Sequence, residues 1–269
     1  MTTWSTLCVL VSLLSLTTAS YKKGAAISKT NYQCGDTDAF TNIAWWYDWN
    51  QTPWYHAKVG HCTHNITRPG RVPMVWGWRK NIDHPLYFHN DTSQYVLGFN
   101  EPNHKKQANL SPAEAASAWK VIQARADRQN QLLVGPAAIR CHSDHCTMDG
   151  VQWYHEFFQH CKGCRVDYIA THAYWCTADT TMNFLKELWD NFKKPIWLTE
   201  FACPSNNVDH ILAYMKDMLP RLERADYVAR YSWYASRVAG TGAAKAQDSL
   251  LDLTSARLST LGNYYNNFI

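Results

Sequence analysis

Short apolar runs recur along this chain with helix-period segments between them, and that alternation most narrows what it can fold into. The runs are Gly24–Ser28, Ile43–Tyr47, Val72–Trp76, Tyr95–Asn100, Leu132–Gly135, Val166–His172, Pro195–Thr199 and Tyr227–Trp233. Most are continuously apolar rather than strictly alternating, as parallel strands covered on both faces are. Ser111-Pro-Ala-Glu114 is a capping box with proline at the first helical position, opening a helix that runs to Arg128. Asp149–His160, Thr180–Phe192 and Val208–Arg224 carry apolar residues at helical spacing, with a kink expected at Pro220. The pattern predicts an α/β fold, a single (β/α)8-like TIM barrel. Its first connections are too short or irregular for regular helices. No linker, repeat or low-complexity stretch divides the chain, so one barrel over residues 21–269 is expected.

Two of the runs end on a carboxylate. Tyr95-Val-Leu-Gly-Phe-Asn-Glu101 closes the fourth and Pro195-Ile-Trp-Leu-Thr-Glu200 the seventh. Desolvating a carboxylate without a partner is expensive, so a charge at the end of a buried strand calls for a functional reason. Barrel sites are built at the C-terminal ends of the strands, which would aim both acids into one cleft. Paired carboxylates are the equipment of glycoside hydrolysis.

The surrounding motifs extend this reading. Asn100-Glu101-Pro102 and Thr199-Glu200-Phe201 resemble the acid/base and nucleophile elements of clan A of the glycoside hydrolases. With Lys22-Lys-Gly-Ala, Trp45-Trp-Tyr, Val72-Pro-Met-Val-Trp-Gly77, Thr171-His-Ala-Tyr-Trp175 and Tyr231-Ser-Trp-Tyr, the chain resembles glycoside hydrolase family 128, the Asl1-like catalytic core, over residues 22–268. The resemblance implies a secreted retaining endo-β-1,3-glucanase that needs no metal or cofactor. Glu200 would be the ionised nucleophile. Glu101 would be held protonated by its charged neighbour and partial burial, as acid and then base. Asn100 would take the sugar 2-hydroxyl, and Tyr174 would donate to Glu200. His172 is either a satisfied core histidine or a substrate contact. Trp233 fits the aromatic floor under the cleaved sugar, and Trp76, Trp78 and Trp175 fall at strand ends as candidates for the groove. Strand alternation lets only one of Trp45 and Trp46 face inward. Two alternatives stay open: a non-catalytic, lectin-like glucan-binding protein, and a β-glycanase or transglycosylase of another linkage.

Composition bears on compartment and partners. Residues 1–20 form an apolar stretch ending in small residues, the pattern of a signal peptide. With Cys8 in that leader, eight cysteines remain, an even number as expected of disulfides in a secreted chain. Cys176 and Cys203 follow neighbouring strands and should pair, and Cys34 with Cys62 is a further expectation. Cys141, Cys146, Cys161 and Cys164 form either local or crossed pairs, in preference to a zinc site. Sequons stand at Asn50, Asn65, Asn90 and Asn109. A net charge of +4 without a basic run argues against nucleic acid as a partner. No later segment is long and apolar enough for a membrane span, so no membrane partner is expected after leader removal. The resemblance implies β-glucan as the partner, and a monomer is expected. The 13 Trp and 15 Tyr exceed what packing needs, and a groove that stacks sugars would use some of them.

Overall fold

The computed structural model describes residues 20–52, 69–79, 86, 92–240 and 243–269. Seven strands among them form one parallel sheet: β1 (Lys23–Ala26), β2 (Trp45–Tyr47), β3 (Tyr95–Leu97), β4 (Leu132–Ala137), β5 (Tyr168–Ala173), β6 (Ile196–Phe201) and β7 (Val228–Trp233). Their spatial order is β2-β1-β7-β6-β5-β4-β3. The sheet curls, and residues 70–76 fill the gap between its edge strands. On one side Val72 N–H donates to the Trp46 carbonyl at 2.8 Å; on the other Val75 N–H reaches the Leu97 carbonyl at 2.9 Å. The third expected strand is therefore a pair of isolated bridges, Trp46–Arg71 and Met74–Leu97. Pro73 has no N–H to give a ladder, and Met74 N–H turns to the Asn50 carbonyl at 3.0 Å.

Helices cover the later strands: α1 (Pro112–Asp127), α2 (Gly150–His160), α3 (Ala178–Phe192), α4 (Val208–Arg224) and α5 (Thr260–Asn267). The capping box at α1 is formed, with Ser111 N–H donating to Glu114 at 2.9 Å and Glu114 N–H returning to Ser111 Oγ at 3.3 Å. Pro220 lies inside α4. Two adjacent lysines at the start of β1 close the C-terminal ends of two helices. Lys22 Nζ donates to the carbonyls of Glu223, in the last turn of α4, and Ala225 just past it, and Lys23 Nζ to those of Tyr265 and Asn266 in α5. Such carbonyls lack intrahelical partners, and a cation there also meets the negative end of the helix dipole.

Packing within the barrel fixes which way each strand faces. Arg230 of β7 lies 4.6 Å from the Tyr95 ring and 4.8 Å from that of Trp197, and Trp45 stands 4.8 Å from Trp197. Tyr95 of β3 and Arg230 of β7, like Trp45 of β2 and Trp197 of β6, come from strands that are not neighbours, so they meet only in the interior. Tyr231 and Trp233 alternate to the outside, where Tyr231 hydrogen-bonds Glu223 and Trp233 packs on Tyr214 of α4.

Candidate active site

Glu101 follows β3 by four residues and takes φ 40°, in the left-handed region that few residues other than glycine adopt. Its surroundings over-determine that conformation. Fully buried Asn103 donates to the carbonyls of Ile139 (2.8 Å) and Met148 (3.0 Å) and accepts from Ile139 N–H (3.0 Å), tying this turn to the loop after β4.

Glu200 reaches the cleft through a β-bulge. Thr171 pairs with Leu198, but His172 pairs with Glu200, so β6 carries one extra residue at Thr199. Trp197 faces the interior, and without that insertion Glu200 would point outward. The Tyr47 hydroxyl donates to the Thr199 carbonyl at 3.1 Å.

Four side chains converge on Glu200. Its Oε1 accepts from Trp49 Nε1 at 2.7 Å and from the Tyr47 hydroxyl at 3.2 Å; its Oε2 accepts from the Tyr174 hydroxyl and lies 3.4 Å from His172 Nδ1. The same His172 nitrogen is 2.8 Å from Glu101 Oε1. One oxygen from each glutamate and the imidazole nitrogen all lie within 4.8 Å of one another. Burial pushes the Glu200 carboxyl above the usual carboxylate range, and the Glu101 charge adds to this; the His172 charge and the hydrogen bonds from Tyr174 and Trp49 oppose it. Burial likewise drives the Tyr174 and Tyr47 phenols far up, so both stay protonated donors.

The cleft above these groups encloses about 900 Å³. Asn100, Glu101, Tyr174, Glu200 and Trp76 line it, with Trp76 38% exposed. Asn100 donates to Gln107 at 3.2 Å, while its Oδ1 is buried without a partner. Other expected groove residues are placed elsewhere. Trp233 is fully buried and donates its indole N–H to the Asp248 carbonyl at 2.8 Å, because it lies on the outward parity of β7. Its neighbour Tyr234 lines the cleft instead. Trp175 packs edge-on against Phe184 of α3, and Trp78 packs on the core; neither lines the cleft. Trp45 faces the interior, and Trp46, also buried, lies 5.9 Å from the Arg71 guanidinium. Trp49, Tyr47 and Tyr234 were not among the expected site residues. The signal available for Tyr47 was its place in β2 two residues after the inward-facing Trp45, whereas Trp49 lies beyond that strand.

Disulfides join Cys176 to Cys203, Cys141 to Cys146 and Cys161 to Cys164, which removes these sulfurs as metal ligands. The first links the segments following β5 and β6, beside Tyr174 and Glu200. Cys34 is disulfide-bonded, and Cys62 lies outside the described residues. Of the sequons, Asn109 is exposed and Asn50 lines the cleft, its amide donating to the Asp48 carbonyl at 2.5 Å. Asn65, Asn90 and the expected leader through residue 19 are likewise outside the described residues.

The chain as a whole is similar to known proteins. Alkali-sensitive linkage protein 1 of Schizosaccharomyces pombe is 31% identical over 178 residues, covering 63% of this chain and 32% of that protein. The chain thus spans about a third of the length of that curated relative. A family 128 subgroup II endo-β-1,3-glucanase from Sorangium cellulosum superposes with a TM-score of 0.77 at 32% identity, over 91% of this chain and 98% of that one. A second subgroup II endo-β-1,3-glucanase, from Pseudomonas viridiflava, gives a TM-score of 0.72 at 27% identity, over 93% and 98%. Solved members of family 128 include endo- and exo-β-1,3-glucanases and an oligosaccharide-binding protein. The profile of the glycosyl hydrolase catalytic core matches residues 24–265, and the chain belongs to that family, glycoside hydrolase family 128.

Proposed function

We propose that this chain is an exported, retaining endo-β-1,3-glucanase. The observation that carries the mechanism is the approach of Glu101 and Glu200, whose oxygens come within 4.8 Å. Retaining enzymes hold their carboxyls ~5–5.5 Å apart, whereas inverting ones leave ~6.5–9.5 Å for a water. Glu200 attacks the anomeric carbon, because three hydroxyl and indole donors hold its oxygens in place and favour its anion. Glu101 protonates the departing oxygen and then deprotonates the incoming water. The unpartnered Asn100 Oδ1 is suited to accept from the sugar 2-hydroxyl. Trp76 offers the broad apolar face on which a sugar ring stacks. The β-1,3 linkage and endo action are supported by the relatives of Sorangium cellulosum and Pseudomonas viridiflava. Export is supported by the apolar leader and the paired cysteines.

Purified protein is incubated with laminarin, curdlan and a β-1,4-glucan, with product length and anomeric configuration followed in time. Expected are laminari-oligosaccharides of mixed length, released first as the β-anomer from the β-1,3-glucans alone. Glu200→Gln abolishes release while leaving the fold intact. Binding of curdlan without release from any polymer would instead make the chain a glucan-binding protein.

A further inference from the structure

One buried imidazole lies between the two glutamates. The His172 side chain is 1% exposed, and its Nδ1 is 2.8 Å from Glu101 Oε1 and 3.4 Å from Glu200 Oε2. Its Nε2 is buried with no hydrogen-bond partner. A hydrogen at Nε2 would have no acceptor, so the proton belongs on Nδ1, where two carboxylates converge. The β6 bulge creates this meeting by bringing Glu200 into register with His172.

Double displacement moves a negative charge between these same two acids. When Glu200 bonds to the anomeric carbon, the bond to the leaving oxygen breaks and that oxygen takes the proton of Glu101. Charge leaves Glu200 and appears on Glu101; hydrolysis of the glycosyl-enzyme returns it. A donor close to only one acid would lose its partner at one stage. We propose that His172 is the positioning residue for this exchange, its Nδ1–H shared by both carboxylates so that it serves whichever one is charged while the ring stays fixed. The assignment rests on the retaining mechanism proposed above. Such a donor needs no reorganisation at the moment of reaction, which is where preorganised sites gain most.

The groups that face His172 are consistent with the role. Glu101 approaches from the turn after β3, Glu200 from β6, and the Tyr174 ring from just past the end of β5 at 6.5 Å. The charges acting on the imidazole are those of the two glutamates. Burial alone would push His172 down, but the Glu200 charge, the Glu101 hydrogen bond and the Glu101 charge together lift it above the ordinary histidine value.

Two variants separate this role from simple packing. His172→Ala removes the donor; His172→Asn keeps an N–H near the Nδ1 position without a titrating ring. On laminarin, His172→Ala lowers kcat/KM by roughly 10- to 100-fold and moves both limbs of the pH profile upward, since both acids then hold their protons to higher pH. His172→Asn recovers part of the rate and part of both shifts. Limbs that stay in place, or movement of one limb only, would overturn the proposal. A second readout needs no turnover: the nitrogen NMR titration of His172 in the wild type, Glu101→Gln and Glu200→Gln. Its midpoint falls in both variants, and an unchanged midpoint in Glu200→Gln would equally overturn the sharing. A coupled titration in a protein that cleaves no glucan leaves the shared donor standing and removes the glucanase reading. Normal cleavage with an uncoupled His172 does the reverse.

Discussion

Asp248→Asn should remove a pH dependence of stability from this protein. Asp248 ends a 3-10 turn (Ala246–Asp248), is fully buried, and has one carboxylate oxygen without a partner. Burial pushes its carboxyl from 3.8 up to about 7, against the pull of the Lys245 peptide N–H, the Cys203 peptide N–H and the Lys245 charge. Because the folded value lies above the unfolded one, the neutral acid is the form the fold prefers. Its contribution is fully present below pH 4 and is lost as pH rises through 7. Three units at ~1.36 kcal/mol each make that loss about 4 kcal/mol, spread at ~1.4 kcal/mol per pH unit across the window. Asparagine is neutral at every pH, so the variant lacks this slope. Urea unfolding of both proteins at half-unit steps from pH 4 to 8 measures the difference, in which the other acids cancel. The variant gains on the wild type steadily from pH 4 to 7 and then holds its lead. Parallel curves across that range would refute the reasoning.

Tyr174→Phe deletes one donor to Glu200 and should lower kcat/KM by roughly 10- to 100-fold, the worth of a hydrogen bond to a charged group. The acidic limb of its pH profile moves upward, which steady-state kinetics on laminarin would show. Arg237→Met strands the Asp36 charge, since both side chains are fully buried and bonded to each other. A loss of ~3–5 kcal/mol in urea unfolding is expected, with Asp36→Asn in the same chain restoring part of it. Expressed in a host that glycosylates, molecules carrying a glycan at Asn50 should be inactive because that side chain faces the cleft, whereas a glycan at exposed Asn109 leaves activity unchanged. Glycopeptide mapping of active and inactive fractions tests both sites.

Much of the barrel was legible because its strands are buried on both faces and read as continuous apolar runs. The helices were legible from caps such as Ser111 and Asp149, whose side chains satisfy the first free N–H groups. The run at Val72–Trp76 has strand composition, yet only tertiary context tells that Pro73 breaks its ladder. Both glutamates could be singled out because a terminal charge on an apolar run stands out in a sequence. Trp233 could not be told from Tyr234 in the same way. Adjacent aromatic residues carry no parity label, and a one-residue error turns a cleft wall into a packing residue. Trp49 was hidden for another reason: its φ of 58° lies beyond β2, where strand periodicity no longer applies.

The extra residue in β6 also determines which mutations this site tolerates. It works as a half-step phase slip, below which Trp197 answers to the packing of the interior and above which Glu200 answers to chemistry. The two portions of the strand are therefore free to diverge in identity, because neither sets the direction of the other. Length between them has no such freedom. One residue gained or lost between Trp197 and Glu200 would rotate the acid to the outer wall and present a neighbour to the cleft, with every side chain of the site still encoded. This stretch of chain is permissive in spelling and intolerant in count.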